Sequence, residues 1–150
     1  LLDMGFDEIE HSDTEGTAAP NQVQVYFEHI LRKCPEKQRH IFHVHDIYGM
    51  GMASYFAAYQ AGIRQFECTL GGIGGQPANK MDGVAVKGTG DYYFTHGRTG
   101  LVTTEDFVNM LHAMQCETGI SQEKIIKAGC LMERILGRTL DSFMVAACNH

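Results

Sequence analysis

The chain has 150 residues, of which 44% are hydrophobic, and it carries a formal net charge of −6. This length suits one domain with a sizeable core, and the acidic balance argues against nucleic-acid binding, which depends on clustered Lys and Arg. No stretch of about 18 apolar residues occurs, so no membrane span is predicted. The five cysteines are widely spaced and form no CxxC pair, which argues against a structural zinc site and favours a reducing, cytoplasmic location.

The sequence opens with Leu1-Leu2-Asp3-Met4-Gly5 rather than with an initiator Met. This opening resembles the end of a helix more than the start of a protein. No basic segment precedes an apolar run, so no signal peptide is predicted. We therefore expect these residues to come from inside a longer polypeptide.

Short apolar runs alternate with longer amphipathic stretches along the chain. Asn21 and either Thr103 or Thr104 are candidate helix N-caps, and a glycine directly after a helix is a common stop signal. The predicted elements are a strand at Phe6–His11, a helix from Asn21 to Cys34, a strand at His40–Asp46, a helix at Tyr48–Ala61 stopped by Gly62, a strand at Ile63–Leu70, a helix from Thr103 or Thr104 to about Gln115, and a helix at Gln122–Leu136 stopped by Gly137.

This alternation of strands and helices predicts an α/β fold with parallel strands and helical crossovers. A complete (β/α)₈ barrel needs about 250 residues, so the chain would hold about three of the eight units. A small open α/β sheet is the alternative. In the barrel interpretation residues 1–150 form one partial domain, and residues 71–100 form a glycine-rich loop that contains an insertion.

Two histidines on one predicted strand are the most informative feature. Alternate strand residues point to the same face, so His43 and His45 project together while Val44 faces away. Both stand at the C-terminal end of the strand, where catalytic groups sit in a barrel. Paired imidazoles suit a divalent cation, and Asp46 could orient one of them. Two hydrogen-bonded histidines at a strand end would give the same pattern.

The residues around this pair resemble a known family. The run HVHDIYGMGMA at residues 43–53 is similar to the HxHDxYGxGxA segment of 3-hydroxy-3-methylglutaryl-CoA lyases. The similarity covers most of residues 4–138. Its further segments are Asp13–Gly16, which resembles the family's DTxG loop, and then Ala57–Gly62, Leu70–Pro77, Thr104–Leu111 and Glu117–Ile120.

The resemblance implies that these residues supply the sixth, seventh and eighth strands of a (β/α)₈ barrel, followed by trailing helices. It implies His43 and His45 as ligands of Mg²⁺ or Mn²⁺, with Zn²⁺ also open because both ligands are imidazoles. It further implies retro-Claisen cleavage of a small molecule such as an acyl-CoA. In that reaction the metal acidifies a substrate hydroxyl, a base removes its proton, and an acid protonates the resulting enolate. The family's ligating Asp lies on the first strand, so we expect the chain alone to be inactive.

Two positions depart from the family pattern. Gln76 stands where the family has a catalytic Cys, and a carboxamide cannot donate a proton as a thiol does. Leu101 stands where the family has an Asn metal ligand. The loop between these positions is longer than the family's usual one, and Asn79 and His96 within it are candidate replacements. The candidate catalytic residues are therefore His43, Gln76 and His96.

Other polar residues near these motifs have less specific interpretations. Glu8 and Glu10 alternate on the first predicted strand and could face the barrel interior, with His11 and Asp13 in a polar layer behind the site. Glu67 occupies the place of an acidic residue in the family's last strand, which indicates a polar role there.

Two other functions stay open. A Claisen-type condensing synthase of the isopropylmalate or homocitrate group is one, although those enzymes usually carry an HxHND run and this chain has no Asn there. The other is a non-catalytic remnant, or a subunit that completes a barrel with a second chain. For the full-length protein we expect a cytoplasmic homo-oligomer with no nucleic-acid or membrane partner.

Overall fold

A computed structural model of the chain describes residues 1–74, 80–81, 84–85 and 100–148. A parallel sheet stands at its centre, in the order β1-β2-β3. Its strands are β1 (Ile9–Asp13), β2 (His40–Val44) and β3 (Gln65–Glu67). Within the described residues no helix is both long and apolar enough to cross a bilayer.

Helices connect the parallel strands and follow the last of them. They are α1 (Pro20–Lys33), α2 (Gly51–Ala61), α3 (Thr104–Ala113), α4 (Gln122–Leu136) and α5 (Phe143–Cys148). Short 3₁₀ turns occupy Leu2–Met4, Lys37–Arg39 and Leu70–Gly72, and β4 (Lys80–Met81) pairs antiparallel with β5 (Val84–Ala85). The predicted α/β class with parallel strands and helical crossovers is confirmed.

The sheet separates an apolar face from a polar one. Successive side chains of a strand point to opposite faces, and on β2 Phe42 and Val44 are buried while Ile41 and His43 are only partly buried. Helices α1 and α2 pack on the apolar face. The core there consists of Val23, Phe27, Phe42, Val44, Tyr55, Ala58, Ile63, Val102 and Phe107.

The first strand lies later than the sequence predicts. It starts at Ile9 rather than Phe6 and extends to Asp13 rather than His11. The Arg39 guanidinium donates hydrogen bonds of 2.7 Å to the carbonyls of both Phe6 and Asp7. Those carbonyls are therefore occupied by a side chain instead of by a neighbouring strand.

The start of α1 also differs from the prediction. Ala19, not Asn21, is the N-cap residue, and Pro20 occupies the first helical position. Proline suits that position because it has no N–H to leave unpaired and its φ is already helical. The Gln22 side chain accepts a 2.9 Å hydrogen bond from the Ala19 N–H, which replaces the cap expected from Asn21.

The strands β2 and β3 are shorter than predicted, and α2 begins later. Beyond Val44 and Glu67 the chain makes only single bridges, from His45 to Leu101 and from Thr69 to Thr103. The next helix begins at Gly51 rather than Tyr48, and it ends as predicted with Gly62 in the left-handed conformation at φ 118°.

The C-terminal helices follow the prediction closely, with one addition. Helix α3 starts after Thr103, and α4 has the predicted bounds between Ser121 and Gly137. Helix α5 was not predicted, although Ser142 is a local N-cap whose hydroxyl accepts a 3.2 Å hydrogen bond from the Val145 N–H; a second cap comes from another helix. The Asp106 carboxylate on α3 accepts hydrogen bonds from the Ser142 hydroxyl at 2.9 Å and from the N–H groups of Phe143 and Met144 at 3.0 and 2.9 Å.

We expect Asp106→Ala to lower the free energy of unfolding of the complete protein by about 1–2 kcal/mol, because it removes the acceptor for the first N–H groups of α5. Denaturant unfolding measures the change. Glu123→Ala is the matched control, since Glu123 is also acidic and in a first helical turn but its ion pair with Lys127 is exposed. The control should change stability by less than about 0.5 kcal/mol; equal losses in the two variants would contradict the capping role.

Candidate functional site

The two predicted imidazoles lie side by side at the end of β2. The ring centroids of His43 and His45 are 5.1 Å apart, and the side chain of His43 is 20% exposed. His43 is the fourth residue of β2, and His45 directly follows the strand. The structure therefore brings together the two residues that the sequence assigns to a metal.

Two carboxylates flank His43, one from each neighbouring strand. Its Nδ1 lies 2.7 Å from Oε2 of Glu67 on β3 and 3.6 Å from Oε1 of Glu10 on β1. The register explains this arrangement, because His43 pairs with Ser12 on one side and with Glu67 on the other. Glu10 also accepts a hydrogen bond from the Ser12 hydroxyl.

The donors at this strand edge fit a divalent cation. Metal–nitrogen bonds are about 2.0–2.1 Å long, so an ion bound to both rings would leave their centres on the order of 5 Å apart, as His43 and His45 are. One ligand atom from each of Glu10, His43 and Glu67 also lies within 4.8 Å of the other two. Imidazole and carboxylate together suit Mg²⁺, Mn²⁺ and Zn²⁺.

Among the described residues, the Asp46 carboxylate contacts the start of a helix and not a histidine, which was the contact expected from the sequence. Its Oδ1 accepts a 2.8 Å hydrogen bond from the N–H of Gly51, the first residue of α2. A carboxylate at this place satisfies an unpaired N–H and interacts favourably with the positive end of the helix. The role of Asp46 is therefore to join the end of β2 to the start of α2.

Asp13 has a comparable backbone role. Its carboxylate accepts hydrogen bonds from the N–H groups of Thr17 at 3.3 Å and Ala18 at 2.9 Å, and its carbonyl accepts one from the His45 N–H at 3.2 Å. Gly16 in the same turn has φ 64°, and a Cβ there would clash with the His45 carbonyl. The Asp13–Gly16 turn therefore packs directly against the backbone that carries the second imidazole.

His11 faces away from the site, contrary to the suggested polar layer. Its Nδ1 lies 2.7 Å from the Tyr26 hydroxyl, and its Nε2 lies 3.0 Å from Nδ1 of His40, whose Nε2 contacts the Cys34 carbonyl at 2.9 Å. A carbonyl only accepts, so His40 donates through Nε2 to Cys34.

Leu101 lies beside His45. The family resemblance places an Asn ligand at the position of Leu101. The two residues form a backbone bridge, and the Gly100 carbonyl accepts a 2.9 Å hydrogen bond from the Asp46 N–H. Leu101 is 8% exposed. Leucine at this position beside the histidine pair offers no side-chain oxygen to a cation, whereas an asparagine would offer its amide oxygen.

The two ends of the glycine-rich loop meet next to Leu101. A Cβ on Gly100 would clash with the carbonyl oxygen of Gly72, and one on Gly74 would lie 3.0 Å from the Gly100 Cα. The entry and exit of the loop are thus in backbone contact. Gln76 and His96, the two candidate catalytic residues of the loop, lie outside the described residues, as does Asn79.

A buried glutamate holds the start of this loop. Glu105 on α3 has no exposed surface, and both of its carboxylate oxygens lie within hydrogen-bond distance of the Gly71 N–H, at 3.0 and 2.9 Å. Desolvation by burial raises the pKa of Glu105, and the Gly71 N–H partly offsets this. Gly71 has φ 55° and a Cβ there would clash with Leu140, so this position requires glycine.

The thiol that follows β3, on the way to the loop, is a poor proton donor. Cys68 packs against the core, and desolvation, with smaller effects of Glu105 and Glu67, raises its pKa to about 12. A thiol with such a pKa stays protonated near neutral pH, so Cys68 is poorly suited to donate a proton in a reaction.

Tyr55 connects the strands that carry the site. Its ring is completely buried in the core, its hydroxyl donates to the Glu67 carbonyl, and it accepts a 3.4 Å hydrogen bond from the Val44 N–H. Desolvation raises the pKa of Tyr55 far above its ordinary value, so the hydroxyl keeps its proton. This one side chain ties β2 to β3 at the level of His43.

The HMGL-like family model matches residues 1–132. The chain belongs to the HMGL-like family. It is 32% identical over 142 residues to hydroxymethylglutaryl-CoA lyase YngG of Bacillus subtilis, covering 95% of this chain and 42% of the relative. It is 33% identical over 143 residues to (R)-citramalyl-CoA lyase of Chloroflexus aurantiacus, covering 95% of this chain and 40% of the relative.

A solved structure of the same family shares the fold. The HMG-CoA lyase of Acinetobacter baumannii, in complex with coenzyme A and 3-methylmalate, superposes with a TM-score of 0.79 at 29% identity. The match covers 97% of this chain and 42% of that one. This HMGL-like chain therefore has the α/β architecture of the TIM-barrel lyases, and it spans about two-fifths of the length of the relatives it matches.

Sequence reasoning found the histidine pair but not the arrangement of the carboxylates around it. It noted Glu10 and Glu67 only as polar residues of their strands. The alternation of β1 could have placed Glu10 and Ser12 on one face, but the strand register was needed to set them opposite His43. The direction of His11 depends on the same register.

We expect Tyr55→Phe to destabilise the complete protein by about 1–3 kcal/mol, because the change leaves the partly buried Glu67 carbonyl without the hydroxyl that donates to it. Thermal or denaturant unfolding tests this. Tyr48→Phe is the control, since Tyr48 is 61% exposed and its hydroxyl loss should cost less than about 0.5 kcal/mol. Indistinguishable variants would show that the hydroxyl does not connect the strands.

A second prediction concerns pH. Desolvation, and to a lesser extent His40, lowers the pKa of His11 from its ordinary 6.5. The folded protein then binds a proton less readily than the unfolded chain does, so the contribution to stability is complete above pH 6.5 and is lost as the pH falls below it. In His11→Gln the slope of unfolding free energy between about pH 6.5 and pH 5 should be shallower. The exposed His29 supplies the control, and His29→Ala should keep the wild-type slope; a wild-type slope in His11→Gln would refute the assignment.

Proposed function

We propose that the protein containing this chain is a metal-dependent carbon–carbon lyase that cleaves a hydroxyacyl-CoA or a related hydroxy acid. The observation that carries the proposal is the paired imidazoles of His43 and His45, 5.1 Å apart at the C-terminal edge of a parallel sheet. In barrels this edge is where chemistry takes place. The relatives that match nearly all of the chain are named as lyases of two different acyl-CoA substrates.

The residues of the chain have distinct parts in the proposed reaction. His43 and His45 would hold Mg²⁺ or Mn²⁺, and Zn²⁺ also suits these donors. When bound, the ion would supply Lewis-acid stabilisation of negative charge on substrate oxygen. His43 is also a candidate catalytic residue, because as a ligand it would hold the cation against the reacting oxygen of the substrate. Gln76 and His96 remain candidates for contacting the substrate from the loop.

We further propose that these residues are the C-terminal three units of an eight-stranded barrel, with β1 to β3 as its sixth to eighth strands. The polar face of the sheet supports this, because Glu10, His43 and Glu67 all lie on the side opposite the helices. In a barrel that side lines the interior. The first strand of the barrel would supply the remaining charged ligand, so residues 1–150 alone should not turn over substrate.

Binding of a coenzyme A thioester is proposed from the relatives. The A. baumannii HMG-CoA lyase is described with coenzyme A and 3-methylmalate bound, and both named lyases act on acyl-CoA. The replacement of an amide by Leu101 beside His45 supports a change in how the cation or the substrate is held.

Leu101 also favours a second candidate function. An apolar residue at a ligand position weakens a cation site, and a protein with this change could retain the barrel without its chemistry. In that case the protein would be a non-catalytic member that binds a partner or an acyl-CoA. Metal-dependent turnover separates this candidate from the lyase.

We expect the complete protein to cleave hydroxymethylglutaryl-CoA or citramalyl-CoA in the presence of Mg²⁺ or Mn²⁺, and to lose activity with EDTA. His43→Ala should lower kcat/KM by at least about 100-fold, because it removes one of the two imidazole ligands of the cation that would stabilise charge on the reacting oxygen. A coupled assay of the released carbonyl product measures both.

His29→Ala is the control, because it removes an exposed histidine of α1 far along the chain from the site, and it should leave kcat/KM within about twofold. Unaltered activity in His43→Ala would reject the site. A folded complete protein that cleaves neither substrate with either metal would favour the non-catalytic candidate.

A further inference from the structure

We propose that Glu67 is a positioning residue for His43: its carboxylate accepts the Nδ1–H of the imidazole and fixes the ring so that Nε2 faces the cation. The proposal rests on the lyase function, since it concerns the same cation. It assigns different tasks to the two glutamates beside His43. Glu67 acts through a hydrogen bond, whereas Glu10 contributes only its charge.

The distances separate the two carboxylates. Oε2 of Glu67 lies 2.7 Å from Nδ1 of His43, which is the length of a strong hydrogen bond between an N–H and a carboxylate. Oε1 of Glu10 lies 3.6 Å from the same nitrogen, beyond hydrogen-bond range. Glu10 instead accepts a hydrogen bond from the Ser12 hydroxyl on its own strand.

The hydrogen bond determines the tautomer. An ionised carboxylate can only accept, so Nδ1 of His43 carries the proton that it donates to Glu67. A neutral imidazole has one N–H, so Nε2 keeps its lone pair. Metal-bound histidines commonly donate their second nitrogen to a carboxylate, which fixes the ring and increases its basicity. The pairing therefore prepares Nε2 as the ligand before any ion arrives.

The backbone around Glu67 is held rigidly enough for this role. His43 and Glu67 are register partners on adjacent parallel strands. The buried Tyr55 hydroxyl donates to the Glu67 carbonyl and accepts from the N–H of Val44, the residue after His43. A ligand supported on strands and fixed by a buried neighbour is positioned more accurately than one on a loop.

Direct ligation is the competing interpretation. Glu10, His43 and Glu67 lie close enough for one ion to contact all three. In that arrangement Nδ1 of His43 would give up its proton to bind the ion, and the 2.7 Å contact with Glu67 would no longer be a hydrogen bond. The two interpretations therefore differ in which nitrogen carries the proton.

The test uses the complete natural protein and two measurements. Titration with Mn²⁺, followed by electron paramagnetic resonance of the free ion, gives the Kd. The ¹⁵N chemical shifts of labelled histidine in the metal-free protein give the tautomer of His43. In Glu67→Gln we expect Mn²⁺ to bind about 10–100-fold more weakly and the fraction of Nδ1–H tautomer to fall. Glu67→Asp, which keeps an ionised acceptor, should recover part of both.

Glu10→Gln is the matched control, because it removes the same charge from the other side of the ring without a hydrogen bond. It should weaken Mn²⁺ binding by less than about fivefold and leave the tautomer unchanged. Equal effects of Glu10→Gln and Glu67→Gln on the Kd, with no change of tautomer, would overturn the proposal in favour of charge alone. A metal-free His43 that carries its proton on Nε2 in the wild-type protein would overturn it in favour of direct ligation.

The outcomes also separate this proposal from the lyase function. If the wild-type protein binds no Mn²⁺, the function fails, and a wild-type tautomer that depends on Glu67 would still establish the hydrogen bond as structural. If the wild-type protein binds Mn²⁺ and cleaves substrate while Glu67→Gln changes neither Kd nor tautomer, the function stands and the positioning role is rejected.

Discussion

The hydroxyl of the buried Tyr55 links the apolar core to the two strands that carry the candidate site. Tyr55 lies in the core between the helices and the sheet, yet its oxygen bonds the backbone of both strands that carry the site. Its ring packs against Phe42, Phe66 and Phe107, so the apolar packing and the geometry of the polar edge depend on each other. A change in the core that displaced this ring would also move Glu67 relative to His43.

Much of the fold could be predicted because its signals are local. Helix α4 lies between Ser121 and Gly137 as predicted, since an N-cap hydroxyl and a left-handed glycine act within one turn of the helix. The errors arose where distant residues compete. Arg39 occupies the carbonyls that would have begun β1, and Asp106 caps a helix more than thirty residues away. No local pattern at Phe6 indicates Arg39 as a partner. The start of α5 does carry a local signal, because the Ser142 hydroxyl accepts from the Val145 N–H, but nothing near it indicates Asp106.

The candidate site was also predictable only where its residues are close in sequence. The alternation of a strand was enough to place His43 and His45 together, because it depends only on residues two apart. The carboxylates beside them come from β1 and β3, whose register is set by packing along the whole sheet. Asp46 shows the limit of proximity in sequence: it directly follows the pair, yet its carboxylate turns back to the first N–H of α2.

The backbone contact between Gly72 and Gly100 affects how members of this family can diverge. These two residues hold the ends of the loop in contact. The Glu105 carboxylate fixes the first end through the Gly71 N–H, and the bridge from Leu101 to His45 fixes the second. When the ends of a loop are held together, the entropic free-energy cost of closing the loop rises only with the logarithm of its length, by about 0.6 kcal/mol for each doubling. Insertions between the two glycines can therefore lengthen the loop and change its contacts without refolding the parallel sheet that carries the histidines.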